Sequence, residues 1–114
     1  MTLLRGDVVL VAFPNSDLVT YKSRPALVVQ DLRVETGIPQ VVMVLITTNL
    51  GRKGPTRVVV SGHSAAGMTM GLLSDSVIVT DALQTVHRTA IRTKIGTCPM
   101  IREVDAALRV TLGL

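Results

Sequence analysis

Along the first three quarters of the chain, apolar residues fall in short runs rich in Val, Ile and Leu, separated by Gly, Pro, Asn or Asp. The runs predict strands over Asp7–Phe13, Ala26–Asp31, Val41–Thr48, Thr56–Ser61 and Ser76–Val86, the last with a bend near Asp81, and a sixth over Ala90–Ile95. Turn chemistry separates them: Pro14-Asn15-Ser16-Asp17, Thr36-Gly37-Ile38-Pro39, the run from Asn49 to Pro55, and the small-residue stretch from Ser61 to Gly71. Val41 to Ile46 is apolar on both alternating faces, and so is Asp7 to Phe13, with Val8, Leu10 and Ala12 on one side and Val9, Val11 and Phe13 on the other. Such strands need cover on two sides, from a core and then from a helix or another chain, and a homodimer would supply it. At Pro99 the period changes. Ile101, Val104, Leu108 and Leu112 lie at i, i+3, i+7 and i+11, one face of a closing helix. Its other face carries Arg102, Glu103, Asp105 and Arg109, which reads as solvated. The pattern predicts a mainly β fold with a C-terminal helix, a small barrel or half-open sheet that the helix plugs.

The chain has 114 residues, enough for a single domain over 1–114 and one hydrophobic core, which excludes most cofactor-dependent enzymes. Hydrophobic residues reach 47% and mean hydropathy is +0.47, against disorder, while 18% charged residues is thin cover for so small a body, so part of the surface is expected to face a partner. Twelve Lys and Arg against eight Asp and Glu give +4, a mild bias toward anionic ligands. Phe13 and Tyr21 are the only aromatics, so bases cannot be read on a broad stacking platform. Cys98 is the single cysteine, which fits a reducing cytoplasm, and neither zinc spacing nor a carboxylate cluster for magnesium is present, so no metal and no cofactor are expected. Arg5 and Asp7 interrupt the first stretch before a signal-peptide core can build, and no run is long enough to span a membrane.

Arg24-Pro25 is read at the entrance of the second strand, where proline tolerates its missing donor and forces Arg24 into extended backbone, giving the guanidinium a fixed root. An arginine there is either an ordinary surface ion-pair partner or a working group. Thr47-Thr48-Asn49 ends the third strand, and alternation sends the two threonines to opposite faces, so only one can share a cleft with Arg24; a strand-end threonine is otherwise β-propensity or a turn hydrogen bond. Arg52, Lys53 and Arg57 carry no intervening acid, and neither do Arg88, Arg92 and Lys94. Such runs suit phosphate tracking or simply protect edge strands. His63 and His87 are alternative proton carriers, read as ordinary loop histidines because nothing in the motif order brings them together. Cys98 reads as a helix-entry residue and the methionines as core filler.

In order, the chain carries Arg5-Gly6-Asp7-Val8-Val9-Leu10-Val11 with Phe13-Pro14, then Arg24-Pro25-Ala26-Leu27-Val28-Val29, Ile46-Thr47-Thr48-Asn49, Gly71-Leu72 with Asp75-Ser76-Val77-Ile78, and Asp81-Ala82-Leu83-Gln84-Thr85-Val86. This series resembles the MazF/PemK toxins over nearly the whole chain. The resemblance implies an SH3-like (CcdB/MazF-type) barrel, a homodimer, and a cytoplasmic, sequence-specific endoribonuclease (mRNA interferase) held inactive by a cognate antitoxin. It implies Arg24 and Thr47 as the catalytic pair and single-stranded RNA as substrate, cut to 2′,3′-cyclic phosphate and 5′-hydroxyl ends. RNA contacts are expected from Arg52 and Lys53, from Thr48 and Asn49 beside Thr47, and from Asn15, Ser16 and Lys22 flanking Arg24. Ala12 and Gln84 stand where many members have an acidic and a basic residue. A guanidinium keeps its proton at neutral pH, which makes it a poor base but a good fork for phosphate, so Arg24 is assigned mainly to transition-state stabilisation. The alternative is a non-catalytic CcdB-like toxin, or an RNA- or antitoxin-binding protein, on the same fold.

Overall fold

Strand β1 (Asp7–Pro14) pairs antiparallel with β2 (Tyr21–Val28) on one side and with β6 (Ile91–Thr97) on the other. The computed structural model describes residues 2–114. Between those strands in sequence lie β3 (Gln40–Thr47), β4 (Arg57–Val60), helix α1 (Ala65–Thr69), β5 (Ser76–His87) and a 3₁₀ turn at Arg88–Ala90, and helix α2 (Ile101–Leu112) closes the chain. The six strands form one antiparallel sheet in the order β4-β5-β3-β2-β1-β6. It is the half-open form of the predicted barrel, because β4 and β6 remain edges that do not pair with each other. Among the described residues no helix is long and apolar enough to cross a membrane.

The second strand begins at Tyr21 rather than Ala26 and stops at Val28 rather than Asp31. Tyr21 to Arg24 are all exposed, so they carry no apolar alternation; pairing with β1, from Pro14 opposite Tyr21 to Val11 opposite Arg24, makes them a strand. Arg24-Pro25 therefore sits inside β2, not at its entrance. The stretch read as a loop from Ser61 to Gly71 contains α1, a single turn too short to give a helical period, capped by Ser64 Oγ accepting from Gly67 N–H at 3.0 Å. The bend expected near Asp81 is a bulge: the partner of Val44 is Leu83 and that of Leu45 is Val79, leaving Thr80, Asp81 and Ala82 out of register.

Two apolar clusters flank the sheet. Val8, Leu27, Val44 and Ile46 meet Val58 and Val60 of β4 and Val104 and Ala107 of α2, so the sheet curls until β1 and β4 share one core. Helix α2 uses the predicted Ile101, Val104 and Leu108, but Ala107 replaces Leu112, which is exposed near the end at Gly113. Asp105 pairs with Arg5 instead of Arg109. On the opposite face Val9, Val11, Ala26, Val28, Val41 and Met43 are buried by Leu3, Ile91, Phe13, Leu32 and Val86 of the same chain. Part of the cover that β3 requires thus comes from within the chain, from Leu3 before β1, Leu32 after β2 and the ends of β1, β5 and β6.

The gap between the sheet edges is filled from within the chain. A Cβ on Gly71, whose φ is +73°, would lie 2.2 Å from the Ile95 carbonyl oxygen, and one on Gly96 would lie 2.4 Å from backbone of Thr69 and Met70. The segment after α1 is thus pressed backbone to backbone against β6. The Gly6-Asp7 pair holds the same end of β6 from the β1 side, with Asp7 opposite Thr97 and the Gly6 carbonyl accepting the Cys98 N–H at 2.8 Å. Gly6 takes a left-handed φ of +96°, and buried Asp7 accepts the Leu4 N–H at 2.8 Å and pairs with Lys94 at 3.1 Å.

Candidate functional site

Strands β2 and β3 pair only at Ala26–Leu45, Leu27–Val44 and Val28–Met43. Pro25 has no N–H to continue the ladder, and beyond it β2 stays with β1 while β3 stays with β5. Extending the register by two positions sets Arg24 opposite Thr47, where the strands part. A cleft of about 180 Å³ opens at this fork. Arg24, Thr47 and Arg52 supply its polar groups, and Leu45, Val79 and Ala82 give it an apolar wall, Val79 just before the β5 bulge and Ala82 within it.

Arg24 is exposed and its side chain makes no hydrogen bond or ion pair among the described residues, so its whole donor fork is free. Thr47 is half-buried, and its Oγ1 accepts the Asn49 N–H at 3.1 Å. With one lone pair occupied from the loop side, the hydroxyl proton is left to a partner in the cleft. The loop is fixed in turn by Asn49 Oδ1 accepting the Gly51 N–H at 3.1 Å and the Asn49 carbonyl accepting the Arg52 N–H at 3.3 Å. Arg57 does not join the cleft. Its Nε and Nη2 bind both oxygens of Asp81 at 2.8 and 3.0 Å, and its Nη1 donates to the Lys53 carbonyl at 3.0 Å. The guanidinium holds the Asp81 carboxyl below the usual carboxylate range.

Residues 4–112 match the family described as PemK-like, MazF-like toxin of type II toxin-antitoxin system. The chain belongs to this family. No curated protein matches it significantly in sequence. Among solved structures, an endoribonuclease in complex with its cognate antitoxin from a Mycobacterial species is 25% identical, with 99% of this chain and 97% of that one covered and a TM-score of 0.74. Another endoribonuclease from a Mycobacterial species is 26% identical, covering 100% and 94%, at TM-score 0.72. MazE-MazF from Deinococcus radiodurans, 19% identical over 100% and 98% at TM-score 0.77, shares the fold.

In this MazF-like toxin the other residues singled out from sequence scatter around the fork. Lys22, two positions before Arg24 in β2, lies on the same side of the strand and is exposed. Thr48 points the other way, into a separate apolar groove with Leu10, Pro25 and Leu73. Asn49 spends its amide oxygen on the loop, and Lys53 contributes its carbonyl to Arg57. Asn15 is used within the β1–β2 turn, where its Nδ2 donates to Thr20 Oγ1 at 2.9 Å, and Ser16 is exposed in the same turn. His87 caps the 3₁₀ turn through Thr89, and His63 lies in the turn after β4; neither lines the cleft. No group of three or more His, Cys, Asp or Glu among the described residues could hold a metal ion. Sequence reasoning missed Val79, Ala82 and the Asp81–Arg57 pair. The bend at Asp81 was the available signal for the bulge, but residues 24 apart give no local hint that they pair.

Proposed function

We propose that this MazF-like toxin is a metal-independent endoribonuclease, an mRNA interferase that cuts single-stranded RNA at a short sequence. The observation that carries the reading is the fork itself: a free guanidinium and an oriented hydroxyl share one open cleft with a second arginine. In the reaction the substrate's 2′-oxygen attacks the adjacent phosphorus and the 5′-oxygen leaves, giving 2′,3′-cyclic phosphate and 5′-hydroxyl ends. Arg24 binds two phosphate oxygens as negative charge builds on them, which a guanidinium does without losing its own charge. Thr47 Oγ1 donates its hydrogen to a phosphate oxygen or orients the 2′-hydroxyl. Solvent in the open cleft takes the 2′-hydroxyl proton and supplies one to the departing 5′-oxygen. Arg52 and Lys22 hold flanking phosphates.

The toxin acts in the cytoplasm as a homodimer and is silenced by a cognate antitoxin, whose disordered acidic and hydrophobic segment competes with RNA for the cleft. Family membership supports this reading, as does the Mycobacterial relative solved with its antitoxin. Incubating the purified protein with a long RNA in EDTA and mapping the cut ends is the test. Cleavage at a recurring short sequence is expected, and Arg24→Ala should lower it by about 100- to 1,000-fold while sedimenting as the same dimer. Intact RNA with the wild-type protein would favour the non-catalytic CcdB-like reading. Cleavage only after magnesium is restored would remove metal independence, and an Arg24→Ala protein that cuts normally would remove the role of Arg24.

A further inference from the structure

The loop between β3 and β4 begins at Thr47, carries Arg52 into the cleft, and returns to the sheet at Arg57. Its far end is already tied to β5 without any ion pair: the Thr56 carbonyl accepts from Thr80 N–H at 3.0 Å and from Thr80 Oγ1 at 2.6 Å, and Arg57 to Val60 pair with Val79 to Ser76. The sheet therefore does not need Asp81. Yet Asp81, on the β5 bulge, takes both guanidinium contacts from Arg57 and a third hydrogen bond from Thr56 Oγ1 at 3.0 Å, while the remaining arm of Arg57 reaches back to the Lys53 carbonyl. Lys53 is next to Arg52, and Asp81 is next to Ala82.

Resting on the nuclease reading, we propose that Asp81 and Arg57 form a positioning brace: the pair locks the Arg52-bearing loop to the β5 bulge and so sets the distance between the cleft's second cation and its apolar wall. Asp81 is not a catalytic residue, since it does not line the cleft and its carboxylate is turned to Arg57. The pair is half-exposed, with Arg57 at 22% and Asp81 at 41%, where an isolated surface ion pair adds little to stability. What a two-point fork adds instead is geometry, because it fixes direction as well as distance.

The position gives a test with opposite signs. Asp81→Asn removes an acid beside an RNA cleft and releases Arg57, so charge alone would tighten RNA binding and lower KM. A lost brace predicts the reverse: KM for RNA higher by about tenfold with kcat within about twofold, as expected when positioning rather than chemistry is damaged. The amides of Arg52 and Arg57, bonded to the Asn49 and Gly54 carbonyls, should exchange with solvent at least about tenfold faster than in wild type, while those of β1 are unchanged. Should Asp81→Asn fail to fold, Arg57→Lys, which keeps the charge but cannot make the fork, gives the same readouts. Unchanged or lowered KM, or unchanged loop exchange, overturns the brace. If wild type does not cut RNA at all, the nuclease reading fails by itself, and the exchange measurement alone decides whether the brace exists.

Discussion

Thr47 and Thr48 differ by one position and by the whole thickness of the sheet. Strand alternation turns Thr47 into the fork with Arg24 and Thr48 into the apolar groove beside Leu10 and Pro25. Replacing each by Val, which keeps shape and β-propensity but removes the hydroxyl, separates them. Thr47→Val should cut RNA cleavage by about 10- to 100-fold, whereas Thr48→Val should stay within about twofold, measured as initial rates on one RNA. Equal losses would mean that the two hydroxyls do not act on different faces. Arg24, by contrast, was readable only in part. Pro25 announced its extended backbone, but its freedom from any acid is a property of its neighbours in space, and Arg57 in an equally basic stretch is committed to Asp81 and the Lys53 carbonyl.

At the scale of elements, the site is made by an interruption. Ladder pairing between β2 and β3 stops where Pro25 has nothing to donate, and the strands follow different partners from there. The β5 bulge completes the cleft wall, and the segment after α1 fills the space between the sheet edges. That last contact depends on Gly71, at positive φ and within 2.2 Å of a carbonyl oxygen if a Cβ were added. Gly71→Ala should cost more than about 2 kcal/mol, through backbone strain and displacement of β6 together. Urea unfolding followed by far-UV circular dichroism measures it, and a loss below half that value would mean the edge is packed more loosely than described. Sequence periodicity found this architecture except where strand residues are exposed, as at Tyr21 to Arg24, or where a helix makes a single turn, as at α1.

For the whole molecule, charge is distributed more unevenly than +4 suggests. Arg5, Arg33, Arg57 and Lys94 are each paired with an acid, while Arg24 and Arg52 line the fork and Lys22 is exposed on the same side of β2 as Arg24, all three without a side-chain partner among the described residues. Three phosphate contacts on single-stranded RNA predict that log affinity falls against log salt concentration with a slope of about −2. Fluorescence anisotropy with one labelled, uncleavable 2′-deoxy strand should give a slope shallower by about 0.7 for the Arg24→Ala protein than for wild type. Identical slopes would mean that Arg24 does not touch phosphate.

What the linear order of residues determined is everything that depends on neighbours along the chain: six strands and a closing helix from the spacing of apolar positions, the extended root of Arg24 from the proline that follows it, and the separation of two adjacent threonines from the pleat. The tertiary structure alone decided which side chains meet. Arg57 with Asp81 and Asp105 with Arg5 rather than Arg109 are contacts between segments distant in the chain, and Arg24 and Thr47 line one cleft because the register of the sheet sets them on the same side. Register is set by how both faces of all six strands bury their apolar residues at once, a condition on the whole chain that no local pattern contains.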